Sequence, residues 1–301
     1  MAWRNVMIKD GEHLRLKLDN LEVEKNEHKF TIPLSDIATI TLEGNKMAIT
    51  TKLLAKFSEH NIALIICDSK YLPCGLFLGL GQYHHTAKRN LEQIAWDKNY
   101  KQEIWAEIVR QKIQNQTDVL KALQLEGERI ENMQEFCGEI LPADTTNREG
   151  HAAKVYFNTL YGMNFTRDVS CLENAAMNYG YTVIRAYIAR IVTGLGLIPS
   201  LGIFHRNEYN SFNLVDDLIE PFRPLMDWYI GANILPKFEE YLSWDARCVL
   251  IDFLTQPYMH NGKRTTIDFV MLDYVNSFIR AMNEKDTAHL VEITLGGLRG
   301  V

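Results

Sequence analysis

A chain of 301 residues, 47% hydrophobic with modest glycine and proline, is long enough to bury one large core or two smaller ones. That composition excludes a disordered or fibrous chain, and no low-complexity tract or internal period points to a repeat array. A formal net charge of -6 excludes a protein that coats nucleic acid with its whole surface, since such binding needs Lys and Arg to neutralise phosphates, but it leaves room for a local basic groove.

Met1-Ala2-Trp3-Arg4-Asn5 leads straight into a polar-apolar stretch with no signal-peptide core. Alternation in His13-Leu14-Arg15-Leu16-Lys17-Leu18 and β-branched residues in Ile37-Ala38-Thr39-Ile40-Thr41-Leu42 predict strands, with turns at Asp19-Asn20 and Gly44-Asn45. Thr51-Lys52-Leu53-Leu54-Ala55-Lys56-Phe57 reads as a short helix. Ile62-Ala63-Leu64-Ile65-Ile66-Cys67 reads as a buried strand, far too short to span a bilayer. A cytoplasmic protein without membrane contact is expected.

After Gly79-Leu80-Gly81 the period becomes helical: Leu91 and Ile94, then Ile104, Trp105, Ile108, Val109 and Ile113 recur with charges between them. Further helices are predicted over 119–133, 174–192, 214–230, 238–254 and 267–282. The fold class is therefore α+β, with a β-rich domain over 1–80, a linker over 81–94 and an α-helical catalytic domain over 95–301. Cys67, Cys74, Cys137, Cys171 and Cys248 are scattered and never form Cys-x-x-Cys, which argues for buried thiols rather than a zinc ribbon or a disulfide framework.

Three segments could carry chemistry. Thr146-Asn147-Arg148-Glu149 enters a helix after Pro142 and fits a capping box, in which the Glu149 carboxylate would return to the Thr146 amide. His205 stands near the end of a Gly- and Pro-containing loop that begins at Gly196-Leu197-Ile198-Pro199, where an imidazole can be a ligand or an ordinary hydrogen-bonding residue. Asp216, Asp217 and Glu220 crowd about one helical turn, so their carboxylates should repel unless something positive lies close. Arg223 could supply that charge as a surface pair, and a divalent cation would supply more. Pro221 should kink the helix beside these acids.

Carboxylates with one imidazole suit Mn²⁺ and tolerate Mg²⁺, a donor set that matches phosphodiester chemistry. Around Glu149, the basic residues Arg148, Lys154, Arg167, Arg185, Arg190 and Arg206 outnumber their acidic neighbours. In Asn178-Tyr179-Gly180-Tyr181, a glycine within a helical pattern points to close helix packing.

Together, Asn147-Arg148-Glu149-Gly150-His151-Ala152-Ala153-Lys154, Asn178-Tyr179-Gly180-Tyr181, Gly196-Leu197-Ile198-Pro199 leading to His205, and Asp217-Leu218-Ile219-Glu220-Pro221-Phe222-Arg223-Pro224 resemble the CRISPR-associated Cas-one family of endonuclease/integrases. The resemblance extends to Gly44 through Leu64 and Pro73-Cys74-Gly75. It implies a β-rich dimerisation domain, a homodimer that assembles with the smaller Cas-two protein, and insertion of prespacer DNA into the double-stranded CRISPR repeat by 3′-hydroxyl attack on a phosphodiester. It also implies Glu149, His205 and Glu220 as ligands of Mg²⁺ or Mn²⁺, with Asp217 as a supporting acid. Many relatives have Asp at the position of Glu220, and the Glu is similar to the form found with single-protein effectors, the type II systems.

The absence of a Gly-x-x-x-x-Gly-Lys-Ser/Thr loop agrees with a transesterification that needs no nucleotide. Arg148, Lys154 and Arg206, which flank the ligands, are the candidates for contacts to the DNA backbone. A structure-specific, metal-dependent DNA nuclease with the same ligands and a non-catalytic dimeric scaffold are the competing readings.

Overall fold

A computed structural model of the protein describes residues 4–10, 13–26, 28–44, 46–80, 83–125 and 127–300. Met1-Ala2-Trp3, Asn45 of the expected Gly44-Asn45 turn, and Gly81 of the expected break lie outside the described residues. The chain divides into two compact units, Met1–Asn90 with Ala189–Leu197, and Leu91–Ile188 with Ile198–Val301. The architecture is the expected one, β-rich first and helical after.

The first unit holds β1 (Arg4–Lys9), β2 (His13–Lys17), β3 (Asn20–Lys25), β4 (His28–Pro33), β5 (Ile37–Glu43), β6 (Ala48–Ile49), α1 (Thr51–Glu59), β7 (Ala63–Cys67) and β8 (Pro73–Phe77). One sheet runs β1-β5-β7-β8, with β1, β5 and β7 parallel and β8 antiparallel. The other runs β4-β3-β2-β6. In the β2–β3 pairing Leu14 faces Val23 and Leu16 faces Leu21, so one face of that hairpin joins Leu42, Leu53, Phe57 and Leu64 in an apolar core. Thr50 caps α1 by accepting from Leu53 N, which aligns Leu53 and Phe57, one turn apart, on the buried face.

Strands β1, β3, β4, β6 and β8 were not expected from alternation. In β3, Glu22 occupies a buried position, held there by Arg15 Nε at 2.8 Å and Lys17 Nζ at 2.8 Å from β2. Glu22 lies on the face opposite the core residues Leu21 and Val23, where these cross-strand pairs satisfy its charge.

The helices are α2 (Thr86–Ala95), α3 (Lys98–Ala122), α4 (Glu128–Gly138), α5 (Arg148–Tyr161), α6 (Leu172–Gly194), α7 (Asn213–Leu218), α8 (Arg223–Asn233), α9 (Trp244–Asp252), α10 (Ile267–Glu284) and α11 (Leu295–Arg299), with a β9–β10 hairpin (Pro257–His260, Lys263–Thr266). Helix α2 occupies much of the stretch 81–94 expected to be a linker. The helix expected over 119–133 is two helices, parted near Gly127, whose φ of 117° suits glycine. The one expected over 214–230 ends at Leu218, tightens into a 3₁₀ turn over Glu220–Phe222 and resumes as α8, the interruption that Pro221 demands. Of the 238–254 helix, the α-helical part is Trp244–Asp252, followed by a 3₁₀ turn over Phe253–Thr255.

Gly180 answers to packing, as expected: a Cβ there would sit 2.7 Å from Met226 Sδ of α8. Among the described residues the cysteines form no disulfide, and of the buried thiols expected, Cys67 is buried, Cys74 is exposed and the other three are half-buried. Among the described residues, no helix is long and apolar enough to cross a membrane.

Candidate functional site

Helix α3 is the platform of the second unit. Asp97 caps it by accepting from Tyr100 N at 2.9 Å, and Ile104, Trp105, Ile108 and Val109 bury its apolar face. Further along the same helix, polar residues join the buried set: Gln111, Lys112, Asn115 and Gln116. Buried polar groups need partners, and Lys112 and Asn115 find theirs in the segments that carry the candidate site. Asn115 Nδ2 donates to the Pro221 carbonyl at 3.2 Å and to the Ile293 carbonyl at 2.7 Å, which fixes the turn bearing Glu220 against α3.

Glu149 stands in the first turn of α5, but the expected capping box is absent. Helix α5 begins at Arg148, and its cap comes from the buried Asp144, whose carboxylate accepts from Arg148 N at 2.8 Å and Glu149 N at 2.9 Å. With the helix end already satisfied, the Glu149 side chain is free to turn elsewhere, and it meets Lys112 Nζ at 2.6 Å.

The three crowded acids avoid repulsion by dividing their partners. Asp216 accepts from Arg185 at 2.7 Å at each of its oxygens and from Asn210. Asp217 is wholly buried and turns to the loop, accepting from the amides of Ile203, Phe204 and His205 and lying 2.7 Å from His205 Nδ1. Its lone pairs are thereby committed. Glu220, also buried, takes Arg223 Nε at 3.0 Å on Oε1 and Lys112 Nζ at 2.5 Å on Oε2. The expected Glu220–Arg223 pair therefore exists, but in the interior. The Lys112 approach is charge against charge without hydrogen-bond geometry, and it leaves Glu220 Oε2 short of a hydrogen-bond partner.

His205 is held from three sides. Phe204 stacks on Trp105 with centroids 4.2 Å apart and planes 4° apart, and the His205 ring meets Trp105 edge-on. With Nδ1 turned to Asp217, no hydrogen bond among the described residues engages Nε2. A Cβ at Gly202 would lie 2.4 Å from the His205 carbonyl and 2.8 Å from Asp217 Oδ2, so only glycine lets this loop close on the acid.

The hydrogen bond to Asp217 raises the His205 pKa against the opposing effect of burial, and the charges of Glu220 and Glu149 add to it. Burial works against the charges of Lys112 and Glu220 too. Yet Glu220 and Glu149 hold the Lys112 pKa above its ordinary value, and Arg223 and Lys112 hold Glu220 below its own.

Glu149 and Glu220 share Lys112, and the charges of both carboxylates act on His205, so the three residues are electrostatically linked. Among the described residues, no three His, Cys, Asp or Glu side chains form a ready-made cage for an ion. The donor chemistry nevertheless fits a hard divalent cation. Two carboxylates already share one positive charge, a buried carboxylate oxygen lacks a hydrogen bond, and a neighbouring imidazole nitrogen is unengaged with its other nitrogen anchored on an acid.

Beside the cluster opens a cavity of about 430 Å³, lined by Arg167, Tyr181, Arg185, His205 and Arg223 among others. Arg167 and Arg185 belong to the basic set that sequence singles out. Arg190 belongs to the first unit instead, where Nε bonds the Asn61 carbonyl. Of the expected DNA contacts, Lys154 and Arg206 are exposed, whereas Arg148 is tied to Glu139 at 2.8 Å. Sequence missed Lys112, because a lysine in a long helix reads as a solvated position.

A family model described as CRISPR associated protein Cas1 matches residues 6–234. The chain is 42% identical over 229 residues to the CRISPR-associated endonuclease Cas1 of Neisseria meningitidis serogroup C (strain 8013), covering 75% of this chain and 74% of that protein. Among solved structures it resembles a casposase bound to integration product, with a TM-score of 0.76 and 17% identity over 95% of this chain and 93% of the other. It also resembles a chain of a Cas6-RT-Cas1–Cas2 complex, with a TM-score of 0.72 and 18% identity over 96% of this chain and 36% of the other.

Proposed function

The chain belongs to the CRISPR-associated Cas1 family, and we propose that it is a divalent-metal-dependent DNA integrase that inserts prespacer DNA into the CRISPR repeat. The observation that carries this reading is that Glu149 and Glu220 meet on one buried cation, Lys112, while their charges act on His205, which lines the adjoining cavity with Arg167, Arg185 and Arg223.

Glu149, Glu220 and the Nε2 of His205 would hold Mn²⁺ or Mg²⁺, the cations suited to oxygen-rich sites that also hold an imidazole. When bound, such an ion polarises the scissile phosphate and stabilises charge on the leaving oxygen. Asp217 orients His205 and holds the loop, which makes it a positioning residue rather than a further ligand.

Arg167, Arg185 and Arg223 supply the positive lining that draws a phosphate backbone into the cavity. Lys154 and Arg206, both exposed, are the further candidates for backbone contacts, and Arg148 braces the entry of α5 through Glu139. The reaction is attack of a DNA 3′-hydroxyl on a phosphodiester of the repeat. One P–O bond forms as another breaks, and the leaving strand departs with the proton lost by the nucleophile. The balance of bonds requires no nucleotide.

Double-stranded DNA and Cas2 are the assigned partners, in keeping with the casposase bound to integration product and the Cas1–Cas2 complex to which the fold is similar. The β-rich first unit is assigned to homodimerisation, and the strand β4, at the edge of its sheet with Phe30 exposed, is suited to such a contact. Glu220 in place of the common Asp assigns the chain to single-effector systems.

The endonuclease name of the Neisseria relative favours a second reading, in which water replaces the 3′-hydroxyl and the product is cut rather than joined. Duplexes ending in a 3′-hydroxyl and in a 3′-deoxy terminus separate the two. An integrase joins the first to a repeat-bearing plasmid and not the second, whereas a nuclease nicks the plasmid equally with either.

A further inference from the structure

Lys112 lies between Glu149 and Glu220, although none of the proposed chemical steps uses it. Its side chain is only 10% exposed, and a lysine is rarely so buried unless paired. Its ammonium touches carboxylates from two different elements, Glu149 of α5 at 2.6 Å and Glu220 of the 3₁₀ turn at 2.5 Å. Arg223, the other cation on Glu220, reaches only Oε1.

The position is built. Asn115, one turn farther along α3, is bonded to the carbonyl of Pro221, so the helix carrying Lys112 and the turn carrying Glu220 are locked together. Asp144 fixes the start of α5, so Glu149 also arrives from an anchored backbone. The flexible part is the four-carbon stem of Lys112, which carries a compact point charge and can withdraw it. Without that charge, two partly buried carboxylates would face each other with no cation between them.

We propose that Lys112 is a tethered counterion that holds Glu149 and Glu220 together in the metal-free protein and must be displaced when a divalent cation binds. It thereby sets the metal affinity lower than the same ligands would give alone, and it lets the site fold before loading. This rests on the reading of Glu149 and Glu220 as ligands, and the test separates the two.

The test is a calorimetric titration of the full chain with Mn²⁺, comparing wild type, Lys112→Met and Glu149→Gln. Methionine keeps the length and apolar stem of lysine without the charge. Lys112→Met should bind Mn²⁺ on the order of tenfold tighter or more, by analogy with the effect of one nearby charge on another. Its melting temperature should be lower than wild type in EDTA and rise further on adding Mn²⁺.

Equal or weaker binding by Lys112→Met, with wild-type binding that depends on Glu149, overturns the counterion and leaves the ligands standing. Binding that is absent from both wild type and Lys112→Met overturns both. Should Lys112→Met fail to fold, the Nζ resonance of Lys112 in the wild type, assigned by its loss in Lys112→Arg, serves instead. A shift on Mg²⁺ addition supports displacement, and an unmoved signal overturns it.

Discussion

Asp217 Oδ1 lies 2.7 Å from His205 Nδ1, and the same carboxylate accepts the backbone amides of Ile203, Phe204 and His205. One buried acid thus fixes both the ring and the loop that presents it. Asp217→Asn replaces one acceptor oxygen with an NH₂ facing N–H donors. Mn²⁺ affinity should fall about 10–100-fold, as for other positioning partners of a histidine ligand. Calorimetry gives the affinity, and circular dichroism checks that the fold persists. Unchanged affinity would remove the orientation of His205 from the account.

Glu220 neutralises two cations in the interior, Lys112 and Arg223. Glu220→Gln leaves Arg223 without this carboxylate and Lys112 with Glu149 alone, and should destabilise the metal-free protein by about 3–5 kcal/mol, the usual cost of breaking a buried pair from one side. Glu239→Gln, at an exposed position, should stay within about 0.5 kcal/mol of wild type. Urea unfolding in EDTA measures both, and equal stability of the two variants would show that the cluster is not held by charge.

Asp227, buried in α8, accepts from Tyr181 Oη, and burial pushes its pKa up from 3.8 to about 6. The folded protein therefore keeps a proton that the unfolded chain releases. Stability from this group is fully present below about pH 4, falls as the pH rises to about 6, and stays lower above that. The loss amounts to about 2–3 kcal/mol at 1.36 kcal/mol per unit. In Asp227→Asn this slope should vanish, which denaturant melts from pH 4 to pH 7 would detect. An identical pH profile in wild type and variant would show that Asp227 is ionised throughout.

Arg167 bonds neutral partners, Asn174 and Asn178, and its guanidinium lies over the rings of Phe157 and Tyr181. Among the described residues no carboxylate pairs with it, so its charge remains available to a phosphate in the cavity. Arg167→Gln should weaken DNA binding and reduce the slope of log affinity against log salt by about one, as expected for one lost phosphate contact. Fluorescence anisotropy at several salt concentrations reads the slope, and an unchanged slope would take Arg167 out of the DNA path.

Long periodic elements were the most legible part of the fold. Helix α6 matches its expected span to within two residues at either end, because its 3.6-residue period is uninterrupted. Strand β3 was missed although Leu21-Glu22-Val23-Glu24 alternates, because the run is short and the burial of Glu22 makes sense only beside Arg15 and Lys17, which belong to another strand. Pro221 announced a break, but the 3₁₀ turn it creates is set by Asn115, 106 positions away in sequence. The structure brings Glu149 and Glu220 onto one cation and sets His205 within range of their charges. What sequence could not show is the Lys112 between the two carboxylates, since nothing local distinguishes it from any other lysine on a long helix.

The most direct test of the central claim is strand transfer by the purified chain with Cas2, Mn²⁺ or Mg²⁺, a duplex with free 3′-hydroxyls and a supercoiled repeat-bearing plasmid, set against His205→Ala. The account predicts joined product from the wild type only with the divalent ion, and its loss in His205→Ala while DNA binding persists. Joining that survives His205→Ala, or that proceeds equally in EDTA, would contradict it.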